Sequence, residues 1–196
     1  MLDYIGERIR ESVLVNLPWV SRSSGLVDAV RNADGGNYPG AKPYFGAPCN
    51  DVGDYVNMAP QEGESCIIFI DADSDTRKTK AHAKTYDFET YFRVVVWIDE
   101  RKINVDLGNM IWGLQSAIMS GVQAVSLNTY GLTRSRVFFD SIQHDPKKIW
   151  DRYQIEQDKQ GLFLLPYRTF AVRFRLIGRL VPSCFTGQIS ADLTAC

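Results

Sequence analysis

Residues 86–98 read Tyr-Asp-Phe-Glu-Thr-Tyr-Phe-Arg-Val-Val-Val-Trp-Ile, and the fold turns on how this stretch is read. Tyr86, Phe88, Thr90, Phe92, Val94, Val96 and Ile98 share one parity, while Asp87, Glu89, Tyr91, Arg93, Val95 and Trp97 share the other. A period of two is the mark of a strand with one buried face, because successive side chains point to opposite sides of a sheet. The run is about twice the usual strand length of five or six residues. A second ribbon near the C-terminus repeats the pattern, with Phe170, Val172, Phe174, Leu176 and Leu180 on one parity and Arg173, Arg175 and Arg179 on the other. The two ribbons are expected to lie in one sheet.

Upstream of the first ribbon, Ile67, Ile68, Phe69 and Ile70 make a short apolar run expected to be a strand over 66–73. Between them lies a charged stretch with acids first (Asp71, Asp73, Asp75) and bases after (Arg77, Lys78, Lys80, Lys84), which reads as the solvated loop of a β-hairpin. Downstream, Leu107, Met110, Ile111, Leu114, Ala117 and Ile118 recur at helical spacing. Asp106 is placed to cap the start and Gly121 to close the end. This helix is expected to lie across the sheet. Residues 134–141 read as a further strand, and Asp145-Pro146 opens a short helix with Ile149, Trp150 and Tyr153 on its apolar side.

At the N-terminus, Leu2, Ile5, Ile9 and Val13 predict an amphipathic helix that covers the sheet and stops before Pro18. Five of the eight prolines and seven of the fifteen glycines fall between Asn16 and Gly63, so this segment is expected to be a loop-rich excursion. Within it, 25–32 reads as a strand, Asp34-Gly35-Gly36-Asn37 as a turn and 38–45 as a returning segment. The tail 182–196 has too little apolar periodicity to assign. The expected fold is thus a single α+β domain over 1–196, a mainly antiparallel mixed sheet with long hairpin strands, flanked by two or three helices.

Composition limits function. The chain has 196 residues, 45% of them hydrophobic, enough for one proper core. Its 22 basic and 23 acidic residues leave a net charge of −1, so nothing global advertises nucleic acid or an anionic membrane. No stretch approaches the roughly 18 apolar residues of a membrane helix. The N-terminal sequence MLDYIGERIRESV is charged where a signal peptide is apolar, so synthesis in a cytoplasm is expected. The four cysteines, Cys49, Cys66, Cys184 and Cys196, lie far apart without CxxC spacing and read as free thiols.

Candidate chemistry is sparse. Asp71, Asp73 and Asp75 mimic the first half of a calcium loop, but Thr76 and His82 stand where an EF-hand needs glycine and a bidentate glutamate. The same residues contain a DxD with no nucleotide-binding unit after it. His82 and His144 belong to no nucleophile or metal arrangement, and neither GxSxG nor a phosphate-binding glycine loop is present. No catalytic residue, metal site or cofactor is therefore expected. The enzyme or ligand-binding alternative rests on a site around Asp71, Asp73 and His82. The basic residues of the loop and of the second ribbon find their nearest partners in Asp87 and Glu89, as charge pairs within or between subunits.

The order of elements, with KTYDFETYFRVVVWI (84–98), GNMIWGLQSAIMSG (108–121) and LLPYRTFAVRFRLIGRLV (164–181), resembles the neck and tail-completion proteins of tailed bacteriophages, and within them the tail-terminator type. The resemblance covers 1–15 and 64–181 and lies in order and pattern. It implies a non-enzymatic virion protein, made in the host cytoplasm, that forms a homo-oligomeric ring at the junction of capsid and tail. Adjacent neck, portal-side or tail proteins are the implied partners, with DNA passing through the ring and no membrane. Long ribbons leave edges and apolar residues to be covered. The subunit contact is accordingly expected to use Asp73, Asp75, Lys78 and Lys80 at the hairpin tip, with Tyr91, Trp97, Arg173 and Arg175 on the ribbons.

Overall fold

The computed structural model describes residues 2–31, 37–41, 55–72, 77–82, 85–103, 106–123, 132–153 and 161–180. They form an α+β fold with eight strands in one mixed sheet and three helices. Helix α1 is Leu2–Asn16, and β1 (Arg22–Arg31), β2 (Asn37–Ala41) and β3 (Val56–Asn57) follow it. Next come β4 (Cys66–Ala72), β5 (Arg77–His82) and β6 (Thr85–Asp99). Helix α2 (Leu107–Gln123), β7 (Leu132–Gln143), α3 (Pro146–Ile149) and β8 (Tyr167–Leu180) complete the order.

The sheet runs β3-β2-β1-β4-β6-β8-β7, with β5 added beside β6. Strand β6 is its spine. It pairs with β8 without a break from Tyr86↔Leu180 to Asp99↔Tyr167, so the two ribbons, expected in one sheet, are antiparallel neighbours within it. On its other side, β4 takes residues 92–98 and β5 takes residues 85–89. The charged stretch is thus not a broad loop. Its basic half continues the hairpin as β5, because a chain that already runs antiparallel to β6 can keep satisfying backbone groups by staying alongside it.

The segment from Asn16 to Gly63 also departs from the expected excursion. Strands β1 and β2 pair antiparallel, with Val27↔Ala41 and Arg31↔Asn37, which matches the predicted irregular hairpin. Yet β1 then joins β4 in the one parallel pairing among the described strands, so this segment builds one side of the main sheet. Arg22 holds the far end in place. Its guanidinium pairs with Glu64 at 2.8 Å and donates to the carbonyls of Asn57 and Ala59.

Helices α1 and α2 cover one face of the sheet. Ile5, Ile9 and Val13 of α1 and Met110, Leu114, Ala117 and Ile118 of α2 pack with Ile68, Ile70, Phe92, Val94, Val96, Phe170, Val172 and Phe174. Free Cys66 is buried in the same core, where burial, with the nearby Glu64 carboxylate, pushes its thiol far above the ordinary range. Asp106 caps α2 as expected, its Oδ2 accepting from the amides of Gly108 at 3.1 Å and Asn109 at 3.3 Å. The helix does not end at Gly121 but runs on to Gln123. Gly121 is where α1 crosses: a Cβ there would stand 2.6 Å from Ile9 Cα and 2.9 Å from the Arg8 carbonyl oxygen.

That approach gives a test of opposite sign to helix propensity. In an isolated helix Gly→Ala stabilises by about 1 kcal/mol. Here Gly121→Ala is expected to destabilise the protein by about 1–3 kcal/mol, because backbone must move to admit the methyl. A urea midpoint that rises in the variant would show that the helices can part freely.

The second face holds the largest departure from the sequence reading. Residues 92–99 of β6 are buried on both parities. Val95, Trp97, Ile67, Phe69, Ala171 and Val27 form a second core with Met58, Ile149, Trp150, Tyr153 and Leu162. Trp150 meets Phe69 edge-on at 5.7 Å and Tyr153 at 6.0 Å. Val95 and Trp97, expected to be uncovered and available to a neighbour, are therefore internal. The indole of Trp97 donates to the Leu162 carbonyl at 2.6 Å.

Candidate functional site

Beyond this second core the β6–β8 pair continues as an extension whose odd-numbered face is only half-buried. Tyr91, Arg173 and Arg175 lie together there, brought in register by Tyr91↔Arg175 and Arg93↔Arg173. The Arg173 guanidinium sits 4.5 Å over the Tyr91 ring and 3.5 Å from Asp140 on β7. Arg175 stacks at 5.4 Å on Phe138. These are cation–π contacts at a partly wet surface. The Tyr91 hydroxyl donates to Glu89 at 2.5 Å, and that bond, with partial burial, raises the phenol above its ordinary range.

Further out, Asp87 faces Arg179 and accepts from its Nε at 2.7 Å and Nη2 at 3.2 Å. This is the cross-strand charge pairing expected of Asp87 and the arginine face, and it holds Arg179 protonated even more firmly than usual. Lys78 and Lys80 lie on β5, opposite Phe88 and Asp87. Asp73 and Asp75 fall outside the described residues. Of the eight positions expected at a subunit contact, Tyr91, Arg173 and Arg175 therefore share one partly open face, Lys78 and Lys80 lie on the outer strand, and Trp97 is inside.

Of the suggested site around Asp71, Asp73 and His82, Asp73 lies outside the described residues, and the strand register holds Asp71 and His82 apart. Asp71 pairs with Arg93 and His82 with Thr85, eight positions apart on β6, or about 27 Å at the usual strand rise. The Asp71 carboxylate is already committed. It is fully buried, and Oδ2 accepts from Arg93 Nη2 at 2.8 Å and Nε at 3.1 Å. Arg152 pairs with Oδ1 and donates to the Ala72 carbonyl at 2.5 Å. Arg93, itself 4% exposed, also donates to the carbonyls of Lys148 at 3.1 Å and Ile149 at 2.8 Å. The pair so ties the end of α3 to the sheet and satisfies helix carbonyls that have no partner within the helix. Tyr153 lies beside it, its phenol pushed far up, chiefly by burial and then by the Asp71 charge. Among the described residues no group of three or more His, Cys, Asp or Glu could hold a metal ion.

Two features escaped the sequence reading. The Asp71–Arg93 pair had a partial signal, since Arg93 is a lone charge inside an apolar run and Asp71 directly follows the apolar run of the adjacent strand. The second is an apolar groove of about 600 Å³ between α2 and the edge strand β7, with Trp112 71% and Phe139 51% exposed. Its partial signal was a tryptophan off the buried stripe of α2.

Comparison with protein-family models and with curated sequences finds no match to this chain. Among the described residues no helix is long and apolar enough to cross a membrane.

Proposed function

We propose that this protein is a structural component of a tailed-bacteriophage particle, a tail-terminator or tail-completion subunit that forms a homo-oligomeric ring in the neck or tail. One observation carries the reading. The β6–β8 pair runs well past the part of the sheet enclosed on both faces, and a small domain gains little by building such an extension for itself. A neighbouring copy that lies against it covers the half-buried face, and a head-to-tail contact of this kind closes into a ring when its rotation divides a full turn. The order of elements that carries the resemblance recurs in the fold as an N-terminal helix, a long hairpin, a helix across the sheet, a short helix and a final long strand, with strands β1–β3 where a loop-rich excursion was expected.

In this reading the subunit works by shape. Copies of the chain, on the order of six or twelve, join through the hairpin and the Tyr91, Arg173 and Arg175 face. The ring meets portal-side and tail proteins above and below, and DNA passes through it without sequence-specific contact. It is made in the host cytoplasm and resides in the virion.

Light scattering and negative-stain electron microscopy of the purified protein are expected to show a closed ring. A chain that stays monomeric at every concentration would remove the proposal. For the hairpin, we expect Lys78→Glu with Lys80→Glu to leave the melting temperature close to the parent's and to abolish assembly. The positions lie on β5, which pairs with β6 alone among the described strands. Rings that form as before would show that the charges of the hairpin play no part.

A further inference from the structure

We infer that β7 pairs edge to edge with β7 of a second copy, antiparallel about a two-fold axis at Phe138, so that Arg136 of each copy meets Asp140 of the other. Among the described strands, β3, β5 and β7 each have a neighbour on one side only. An open edge invites another strand, and proteins blunt it by keeping it short or by charging it, above all with lysine. Strand β3 is two residues long, and β5 reads Arg-Lys-Thr-Lys-Ala-His. Strand β7 is neither short nor lysine-bearing. It is twelve residues long, and its middle, 136–139, reads Arg-Val-Phe-Phe with Phe139 51% exposed. Its irregularities at Thr133–Arg136 and Phe139–Ser141 confine an added pairing to this middle part.

Charge sets the register. Arg136↔Ile177 and Phe138↔Arg175 place both side chains on the sheet face of Arg175, and Asp140 joins them there by its approach to Arg173 at 3.5 Å. Arg136 is exposed and has no ion-pair partner among the described residues. Asp140 meets both Arg173 and the Ser141 hydroxyl through Oδ2, which leaves Oδ1 for a further donor. When Phe138 stands against its own copy, a step of two residues along one strand is matched by two the other way along the second. Arg136 and Asp140 then face each other twice, once on either side of the axis, as a contact between identical patches requires. Opposite charges at such cross-strand positions stabilise the pairing, and on the other sheet face Phe139 falls opposite Val137. A head-to-tail ring contact has no two-fold axis, so this inference goes beyond the ring and is tested apart from it.

The paired run is short and the contact accordingly weak, so a covalent trap is the suitable probe. The test chain carries Phe138→Cys with Cys49→Ser, Cys184→Ser and Cys196→Ser, and keeps the buried Cys66. Directly opposed residues of an antiparallel pair stand about 4.5–5.5 Å apart at Cα, within reach of a disulfide. Mild oxidation is expected to yield a dimer linked through position 138. Adding Arg136→Asp or Asp140→Arg is expected to slow linkage about tenfold or more, and mixing these two chains to restore it as a mixed dimer, because each then meets the opposite charge at both positions. Should Phe138→Cys fail to fold, Arg136→Cys and Asp140→Cys, both at exposed positions, replace it in separate chains, and linkage is expected only when the two are mixed. Three results would each overturn the inference: a folded test chain that gives no linked dimer, charge variants that link as fast as the chain without them, or a mixture that links no faster than its components.

Discussion

Asp71→Ala is expected to destabilise the protein by about 3–5 kcal/mol, because it leaves a buried arginine with only the exposed Asp151 carboxylate, 3.8 Å away, as counter-ion. Arg93 is 4% exposed and cannot turn to water while its Nη1 and Nη2 remain bound to the carbonyls of Lys148 and Ile149. The charge stranded by the substitution must either stay desolvated or pull α3 away from the sheet, and the second course opens the core around Phe69, Trp150 and Tyr153. Arg152, which is partly exposed, loses a partner at less cost, since water can replace the carboxylate. Urea unfolding measures the loss. The same experiment on Arg93→Met, and on Arg93→Met with Asp71→Leu, closes a double-mutant cycle. The paired change is expected to cost less than the sum of the single ones by about 0.5–3 kcal/mol. Additive losses would show that the two residues act separately and that the ion pair does not tie α3 to the sheet.

Phe174→Asp is expected to abolish soluble folding. Phe174 is fully buried, stacked on Phe92 with ring centroids 5.3 Å apart and met edge-on by Phe139 at 6.4 Å. Its burial contributes about 1.5–3 kcal/mol. The carboxylate that replaces it adds a desolvation cost, and the rings of Phe92 and Phe139 that meet Phe174 offer it no hydrogen bond. The sum is comparable with the whole stability of an ordinary domain, about 5–15 kcal/mol. Phe174→Ala is the graded control. It should cost about 3–5 kcal/mol and leave a cooperative transition at lower temperature. Circular dichroism melts distinguish the two, and a Phe174→Asp protein that melts with its parent would mean that this face of the sheet is not the core.

The first prediction turns on Asp71 of β4 and its register against Arg93 of the first ribbon, the second on Phe174 of the second ribbon, and only the second was legible beforehand. Alternation in 86–98 and 170–180 determined that these are strands suited to one sheet and that Phe92, Val94, Phe174 and Leu176 face a core. Parity is a local property, set by the pleat alone. In the same way the spacing of Ile5, Ile9 and Val13, the cap at Asp106 and the cap at Asp145 fixed three helices from nearest-neighbour geometry. Tertiary structure decided what lies on the other parity. Val95 and Trp97 look like exposed members of a polar face until Ile149, Trp150, Tyr153 and Leu162 pack over them, and no periodicity within β6 encodes what residues more than 50 positions away will cover. The fate of Asp71 turns on the same closure: in the sequence it is the first acid of a ligand-like series, and in the fold its register against Arg93 makes it half of a buried ion pair. The joining of β1 to β4 and the groove beside β7 belong to this second class as well. They depend on which strands meet across long loops, and pairing across such distances is chosen by the closure of the whole core, not by any stretch of chain that enters it.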